Sequence, residues 1–414
     1  MNKFFSCNLI ALSLLLSACS IVVDEPNTDI KSYGSRHIEV FNDEQVSHGH
    51  PDANSHFKLD DGGVLRLSKG RIILKKIKVP HFEKSTQVQA NIRLVSNGDP
   101  WDKSGSLFII PQDSIINLVS LQKKENKLDN LMLGNDKIQG YVADNNYIPS
   151  LELVRFMTPF GVGHFSKSEK LDGRKPVYIP KWEKEVNWQQ DITDRLSALE
   201  GEVWVGVWID VWTKEGYKID VSLTFDESVI AQDKRQEKWL QPLVNTVNYV
   251  HPIKFADIFS RNDLTTTFSI PDNVSNIKLK YITTGHGGHS RGDEFVKKDN
   301  VILVDGKQIL KFTPWRDDCA SFRRFNPHSG IWTQKTMWKG KEIDERVASS
   351  DLSRSNWCPG SDVPPVEVHL GDLKEGKHTL TVSIPNAQPV AKDEMNRWLV
   401  SAYLVGDKVI VENL

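Results

Sequence analysis

The chain has 414 residues, 39% of them hydrophobic, with a formal charge of -2 at pH 7, enough length for two domains that each bury a core. Lys and Arg are interspersed with Asp and Glu and form no basic block, which argues against a nucleic-acid partner. The 12 tryptophans, several in polar surroundings, suit sugar rings and equally suit β-sandwich cores.

In chain order, Met1-Asn2-Lys3 leads into an apolar run from Leu9 to Leu16 and then Leu16-Ser17-Ala18-Cys19. The run is too short to span a bilayer, and small residues before Cys19 fit cleavage with lipid attachment to its thiol. This looks like a bacterial lipoprotein signal over residues 1–19, with an ordinary secretory signal as the alternative. The lipoprotein reading places the protein on the outer membrane, on its periplasmic or cell-surface face, with the lipid anchor as its only membrane contact. Either reading takes the mature chain to a compartment where disulfides persist, and Cys319 and Cys358 are expected to pair. Two such widely spaced thiols argue against a Cys-based metal site. Residues 20–31 are polar and aperiodic and read as a tether.

Short strands dominate from there. Val88, Ala90, Ile92 and Leu94 alternate with Gln87, Gln89, Asn91 and Arg93, the pattern of a half-buried strand. In the following Val95 to Asp102 segment, Gly98 and Pro100 make a turn, and Pro100 biases Asp99 towards extended backbone. Trp101-Asp102 is thus presented in a fixed direction where a rigid strand ends; a turn aspartate beside a packing tryptophan fits the same pattern. Residues 113–146 are polar and poorly periodic and read as a surface insertion, either a functional cover or a solvated excursion. Asp191 to Leu199 is the one helix-like stretch.

Val203, Val205, Val207, Ile209 and Val211 share one strand face and Trp204, Trp208, Asp210 and Trp212 the other. Asp210 is therefore a paired structural carboxylate or part of a sugar-facing platform. After Thr213-Lys214-Glu215-Gly216, which reads as a hairpin loop, alternation resumes from Tyr217 to Phe225. A charged stretch, Asp233 to Lys238, follows, and the boundary is placed near Ala231, giving domains over 32–231 and 232–414. Asp305-Gly306 predicts a tight hairpin, and Gly406-Asp407 another. Many short strands with turns between them make the chain all-β, a sandwich or jelly roll.

Glu294 closes the Gly/His-rich run from His286. His286, His289 and Glu294 form an alternative metal set, a minority reading because histidines on a loop lack the regular spacing that fixes ligand geometry. No Lys-Ser/Thr pair follows the glycines, so the run is not a phosphate loop. Arg354-Ser355-Asn356-Trp357-Cys358-Pro359-Gly360 is a stapled loop whose Arg354 and Trp357 either pack or face a site.

These segments together resemble the bacterial peptide-N-glycosidase F family, amidases that remove whole N-glycans from asparagine. The resemblance is collinear from Ile38 to the C-terminus, through Trp101-Asp102, Arg155-Phe156-Met157-Thr158-Pro159, Asp210-Val211-Trp212, Glu294 and Arg354 to Gly360. It implies two antiparallel eight-stranded jelly rolls packed side by side, with the site in the cleft between them. Asp102 falls on the family's main catalytic aspartate, Trp101 on its neighbouring tryptophan and Glu294 on the second essential acid. Asp210, the third acid of the implied catalytic set, in a supporting role, stands where glutamate is common, one bond shorter. Lys103 stands where arginine is common and loses a bidentate fork. Trp212, Arg354 and Trp357 match substrate-contacting or cleft-lining positions. The implied activity is hydrolysis of the asparagine-GlcNAc amide of N-linked glycopeptides by a monomer, with no cofactor and no metal. A non-catalytic N-glycan-binding lipoprotein on the same scaffold is the first alternative, and a glycoside hydrolase using two of these acids the second.

Overall fold

The structure is a computed structural model, and it describes residues 33–51, 63–122, 141–143, 147–167, 179–247, 256–288, 292–371, 373–392 and 394–409. The expected leader with Cys19, the tether and His289 lie outside them. The first half of the chain supplies β1 (Tyr33–Val46), β2 (Leu65–Leu67), β3 (Ile72–Val79), β4 (Thr86–Ser96), β5 (Ser104–Ile110), β6 (Leu151–Met157), β7 (Val186–Asp191), β8 (Gly201–Ile209) and β9 (Tyr217–Ser228). Two antiparallel sheets result, in the orders β1-β9-β4-β7 and β6-β5-β8-β3-β2. The second half supplies β10 (Lys238–Asn245), β11 (Leu264–Ile270), β12 (Val274–His286), β13 (Asn300–Val304), β14 (Lys307–Phe312), β15 (Ile331–Trp338), β16 (Lys341–Ala348), β17 (Asp362–Val363), β18 (Val366–His369), β19 (Gly376–Ser383) and β20 (Arg397–Lys408). Its sheets are β10-β20-β12-β18 and β11-β19-β13-β14, with β15-β16 as a separate hairpin. The two-residue β17 leaves its own half and pairs with β6.

The period-two alternation explains the layering. Val88, Ala90, Ile92 and Leu94 of β4 meet Val203, Val205 and Val207 of β8 in one core between the first two sheets. The opposite face of β8, carrying Trp204 and Trp208, packs with Phe108 against Val247 and Leu399 of the second half. Both faces of β8 are thereby covered, and burying each large apolar side chain contributes roughly 1.5–3 kcal/mol.

Three local expectations need correction. Thr213 to Gly216 is not a hairpin loop, because β8 pairs with β3 and β5 while β9 pairs with β1 and β4. Both strands bury an apolar face in the same core, so they stack across the sandwich instead of pairing edge to edge. Gly406-Asp407 is no turn either, since both residues pair with β10 inside β20. A Cβ at Gly406 would lie 2.4 Å from Val274 Cγ1, so that glycine permits close strand packing. The helix-like stretch Asp191 to Leu199 is helical only over Thr193–Arg195 and Leu196–Leu199, since Asp191 ends β7, and further helical turns occur at Leu118–Gln122 and Ile258–Arg261. Asp305-Gly306 does form the tight turn between β13 and β14, with φ of 50° and 75° at the two residues. Within the expected insertion, Val142 bridges to Val244 of β10, and Tyr141 and Val142 join the core of the second half.

A buried ion pair clamps the halves together. The Arg155 guanidinium on β6 donates to both oxygens of Glu152, at 2.6 and 2.7 Å, and also to Thr284 Oγ1 at 2.9 Å and the Leu399 carbonyl at 3.1 Å. The Ser401 hydroxyl completes the set by donating to Glu152 at 2.6 Å. Every partner beyond Glu152 belongs to β12 or β20, so this network fixes the end of β12 relative to β5 and β6. No described helix is long and apolar enough to cross a membrane.

Candidate active site

The turn after β4 is held from beneath. Gly98 adopts φ 136°, and a Cβ there would lie 2.6 Å from Glu215 Cβ, so the turn needs glycine. The fully buried Asp99 carboxylate accepts the Trp101 amide hydrogen and the Thr213 hydroxyl, both at 2.9 Å. The Tyr217 hydroxyl donates to the Trp101 carbonyl, and the Lys103 amide donates to Thr158 Oγ1 at 2.8 Å. Asp102 is therefore flanked on both sides by anchored backbone. Asp99 also ties the segment carrying Trp101 to the one carrying Trp212, and both indoles stand exposed, at 55% and 53%.

Glu294 is anchored in the same way. Its neighbour Asp293 is buried and accepts from Trp398 Nε1 at 3.0 Å and the Gln388 amide at 2.9 Å. Its own carbonyl accepts from the Ser355 amide at 2.9 Å. That bond brings Glu294 beside the loop closed by the Cys319–Cys358 disulfide, observed with S–S 2.01 Å.

Arg354 joins the two acids. It is 2% exposed, donates from Nε to Glu294 Oε1 at 2.9 Å, and places Nη2 3.8 Å from Asp102 Oδ2. Nη1 donates to the Leu352 carbonyl at 2.9 Å. The guanidinium lies over the rings of Trp357 at 4.8 Å and Phe295 at 5.0 Å. Burial raises the Asp102 carboxyl above the usual aspartate range, opposed by Arg354 and Lys103. Burial also pushes Glu294 up to about 7, opposed by Arg354 and reinforced by the charge of Asp102. Two carboxyls from opposite halves thus share one buried cation, an arrangement that keeps a proton on the pair near neutral pH.

Asp210 extends from the end of β8, where its amide donates to the Ser104 carbonyl at 2.9 Å. Its Oδ1 accepts from Trp212 Nε1 at 3.1 Å and Arg71 Nη1 at 3.4 Å, and its Oδ2 from Arg397 Nη2 at 2.5 Å. Of the two local readings, the geometry is that of a paired carboxylate. Arg71 also lies over the Trp212 ring at 4.4 Å.

Asp102, Lys103, Asp210, Glu294 and Trp357 line one cleft of about 150 Å³, together with His286 and Arg397. Trp357 is nearly buried, stacks on His286 at 5.3 Å and donates to the Gly285 carbonyl at 2.8 Å. Arg354 lies behind the cleft and reaches it through the acids. His286 is buried and held well below its ordinary value, first by burial and then by Arg397, Arg155 and Arg354. It is a neutral ring whose Nε2 meets Thr284 Oγ1 at 2.8 Å and Ser104 Oγ at 3.4 Å. With His289 outside the described residues, no group of three metal-binding side chains occurs among those described.

Arg71, Arg397, Asp99 and Tyr217 are the members that sequence reasoning missed. A larger groove of about 540 Å³ crosses the outer face of β1-β9-β4-β7. Its Arg93 is already paired with Glu185 and Asp220, and no buried, pKa-raised carboxyl lines it.

Comparisons with known proteins converge. The family described as Peptide-N-glycosidase F, N terminal, matches residues 37–225, and Peptide-N-glycosidase F, C terminal, matches residues 254–405. A search of curated proteins finds no match. The solved structure of PNGF-II in a C2 crystal is similar at 34% identity and TM-score 0.77, covering 92% of this chain. This chain spans 66% of that structure's length. PNGase F, described as a glycosylasparaginase from Flavobacterium meningosepticum, is similar in fold at 13% identity and TM-score 0.57, over 91% of this chain and 97% of that one. A structure of a peptide-N(4)-(N-acetyl-beta-D-glucosaminyl) asparagine amidase is similar at 13% identity and TM-score 0.56, again over 91% and 97%. Matched across both halves of its length, the chain belongs to the peptide-N-glycosidase F family.

Proposed function

We propose that this chain hydrolyses the amide joining asparagine to the first N-acetylglucosamine of an N-linked glycan, releasing the intact glycan and leaving aspartate. The observation that carries this reading is the Asp102 and Glu294 pair, both carboxyls raised by burial and both held to Arg354. Amide hydrolysis needs a base for water and an acid for the leaving nitrogen, and two coupled carboxyls whose environments separate their roles supply both. Asp102 in its ionised form takes a proton from water as the water oxygen attacks the amide carbon. Glu294, protonated up to about pH 7, orients the first sugar and returns a proton to the nitrogen as the C–N bond breaks.

The exposed faces of Trp101 and Trp212 flank the opening and stack on sugar rings. Arg354 positions the acids, and Trp357 walls the cleft. The mature protein is anchored to the outer membrane through lipid on Cys19, acts as a monomer, and requires no metal or other cofactor.

Mass analysis of a defined N-glycopeptide incubated with the fragment beginning after Cys19 tests the reading. The expected product is peptide with aspartate in place of asparagine, absent when Asp102→Asn replaces the native protein. Glycopeptide retained but uncut would make the chain an N-glycan-binding module. A peptide still carrying one sugar would make it a glycoside hydrolase.

A further inference from the structure

Amide hydrolysis also needs a cation for the oxygen on which negative charge gathers, and the two arginines near the acids differ in what they have left to give. Arg354 is 2% exposed and spends Nε on Glu294 and Nη1 on the Leu352 carbonyl. Arg397, at the start of β20, is 18% exposed, lines the cleft and pairs with Asp210. Its one side-chain hydrogen bond among the described residues runs from Nη2 to Asp210 Oδ2 at 2.5 Å, which leaves Nη1 as the donor open to the cleft, while Nε is buried without an acceptor. Asp210 is itself gripped from behind by Arg71 and the Trp212 indole. Lys103 lines the same cleft, but among the described residues no acid anchors its ammonium. A donor worth most in the transition state is one held in place beforehand, because it then costs no reorganisation as charge develops.

We propose that Arg397 is the catalytic group that binds the amide oxygen as it becomes an oxyanion, and that Asp210 is the positioning residue that aims it. This rests on the amidase reading. As the water oxygen bonds to the amide carbon, its proton passes to Asp102 and the carbonyl π pair moves onto oxygen, facing the unspent Nη1 N–H groups of Arg397. Collapse restores the C=O bond and expels the glycosylamine as the C–N bond breaks, with the proton going to nitrogen from Glu294. No charge is gained or lost overall. Asp210 touches no reacting atom.

The test compares steady-state glycopeptide hydrolysis by the native protein with Arg397→Ala, Arg397→Lys and Asp210→Asn, alongside calorimetric affinity for the released glycan. Loss of one preorganised oxyanion donor costs about 100- to 1,000-fold in kcat. Arg397→Ala should show that loss with KM and glycan affinity nearly unchanged, and added methylguanidinium should restore part of the rate. Arg397→Lys and Asp210→Asn should fall between, through kcat. Unchanged kcat in Arg397→Ala, or a loss carried by KM and glycan affinity, would overturn the assignment while the amidase reading stands. Should Arg397→Ala fail to fold, Arg397→Lys decides: a lowered kcat at constant KM supports the assignment, and native kinetics overturn it. A native protein that cuts no glycopeptide overturns the amidase reading and this assignment together.

Discussion

Arg354 donates from Nε to the Glu294 carboxyl at 2.9 Å although it is almost wholly buried. A buried cation needs an anion beside it, and a buried anion needs a cation, so the pair explains how two acids can stand in one cleft. Asp102, 3.8 Å from Nη2 of the same arginine, is the second acid that this cation supports. One positive charge cannot fully neutralise two carboxylates, and the remaining proton is what the proposed hydrolysis would use.

The raised carboxyls set the pH dependence. Turnover should follow a bell: it falls on the acid side as Asp102 is protonated, at a pH above the ordinary aspartate range, and on the alkaline side near 7 as Glu294 ionises. Stability moves in one direction. Glu294 ionises near 4.5 when unfolded and near 7 when folded, so the folded state binds more protons between these values and loses stability as pH rises through them. Glu294→Gln removes that dependence. Its melting temperature relative to the native protein should be higher at pH 8 than at pH 5, while its turnover collapses. A constant difference between the two pH values would contradict the raised value.

The Glu152–Arg155 clamp is predicted to hold the halves. Arg155→Met leaves a buried carboxylate beside Ser401 and should destabilise the protein by about 3–5 kcal/mol. The double change Glu152→Met with Arg155→Met should recover much of that loss, measured as urea midpoints. Equal midpoints for single variant and native protein would show that the network contributes nothing to stability.

The disulfide closes the loop on which Arg354 and Trp357 stand, spanning 39 residues. Cys319→Ser with Cys358→Ser should lower stability by at most roughly 4 kcal/mol. It should also lower kcat at temperatures where the fold persists, because Arg354 is freed. Circular dichroism alongside initial rates separates the two effects, and native kcat in the folded variant would rule out a positioning role for the staple.

Trp101 and Trp212 are exposed and contribute little to the core. Replacing either by Ala should raise KM by about 5- to 10-fold, the equivalent of an aromatic contact worth roughly 1 kcal/mol, and leave the melting temperature nearly unchanged. A large fall in melting temperature with native KM would reassign them to packing.

Strand alternation was legible along Gln87 to Leu94 and Val203 to Ile209 because a half-buried strand imposes a period of two on its own residues. Asp305-Gly306 was legible because its turn needs two positive φ angles. Strand partnership was not: Thr213 to Gly216 carries ordinary loop chemistry whether the next strand pairs or crosses to the facing sheet. Asp102, Glu294 and the Arg354 loop each stood out locally, and family resemblance alone grouped them, since nothing local shows that they meet. Arg71 and Arg397 lie 139 and 187 residues from Asp210. Each reads as an ordinary strand charge until the fold turns both onto one carboxylate. Asp99 hid in plain view, since a buried turn carboxylate looks like any turn aspartate.

Hydrolysis of a defined N-glycopeptide in oxygen-18 water shows whether Asp102 directs water onto the asparagine side-chain amide. One heavy oxygen should enter the new aspartate of the peptide with the native protein and none with Asp102→Asn. A peptide that keeps asparagine with one sugar attached, or that the native protein leaves uncut, would overturn that role for Asp102.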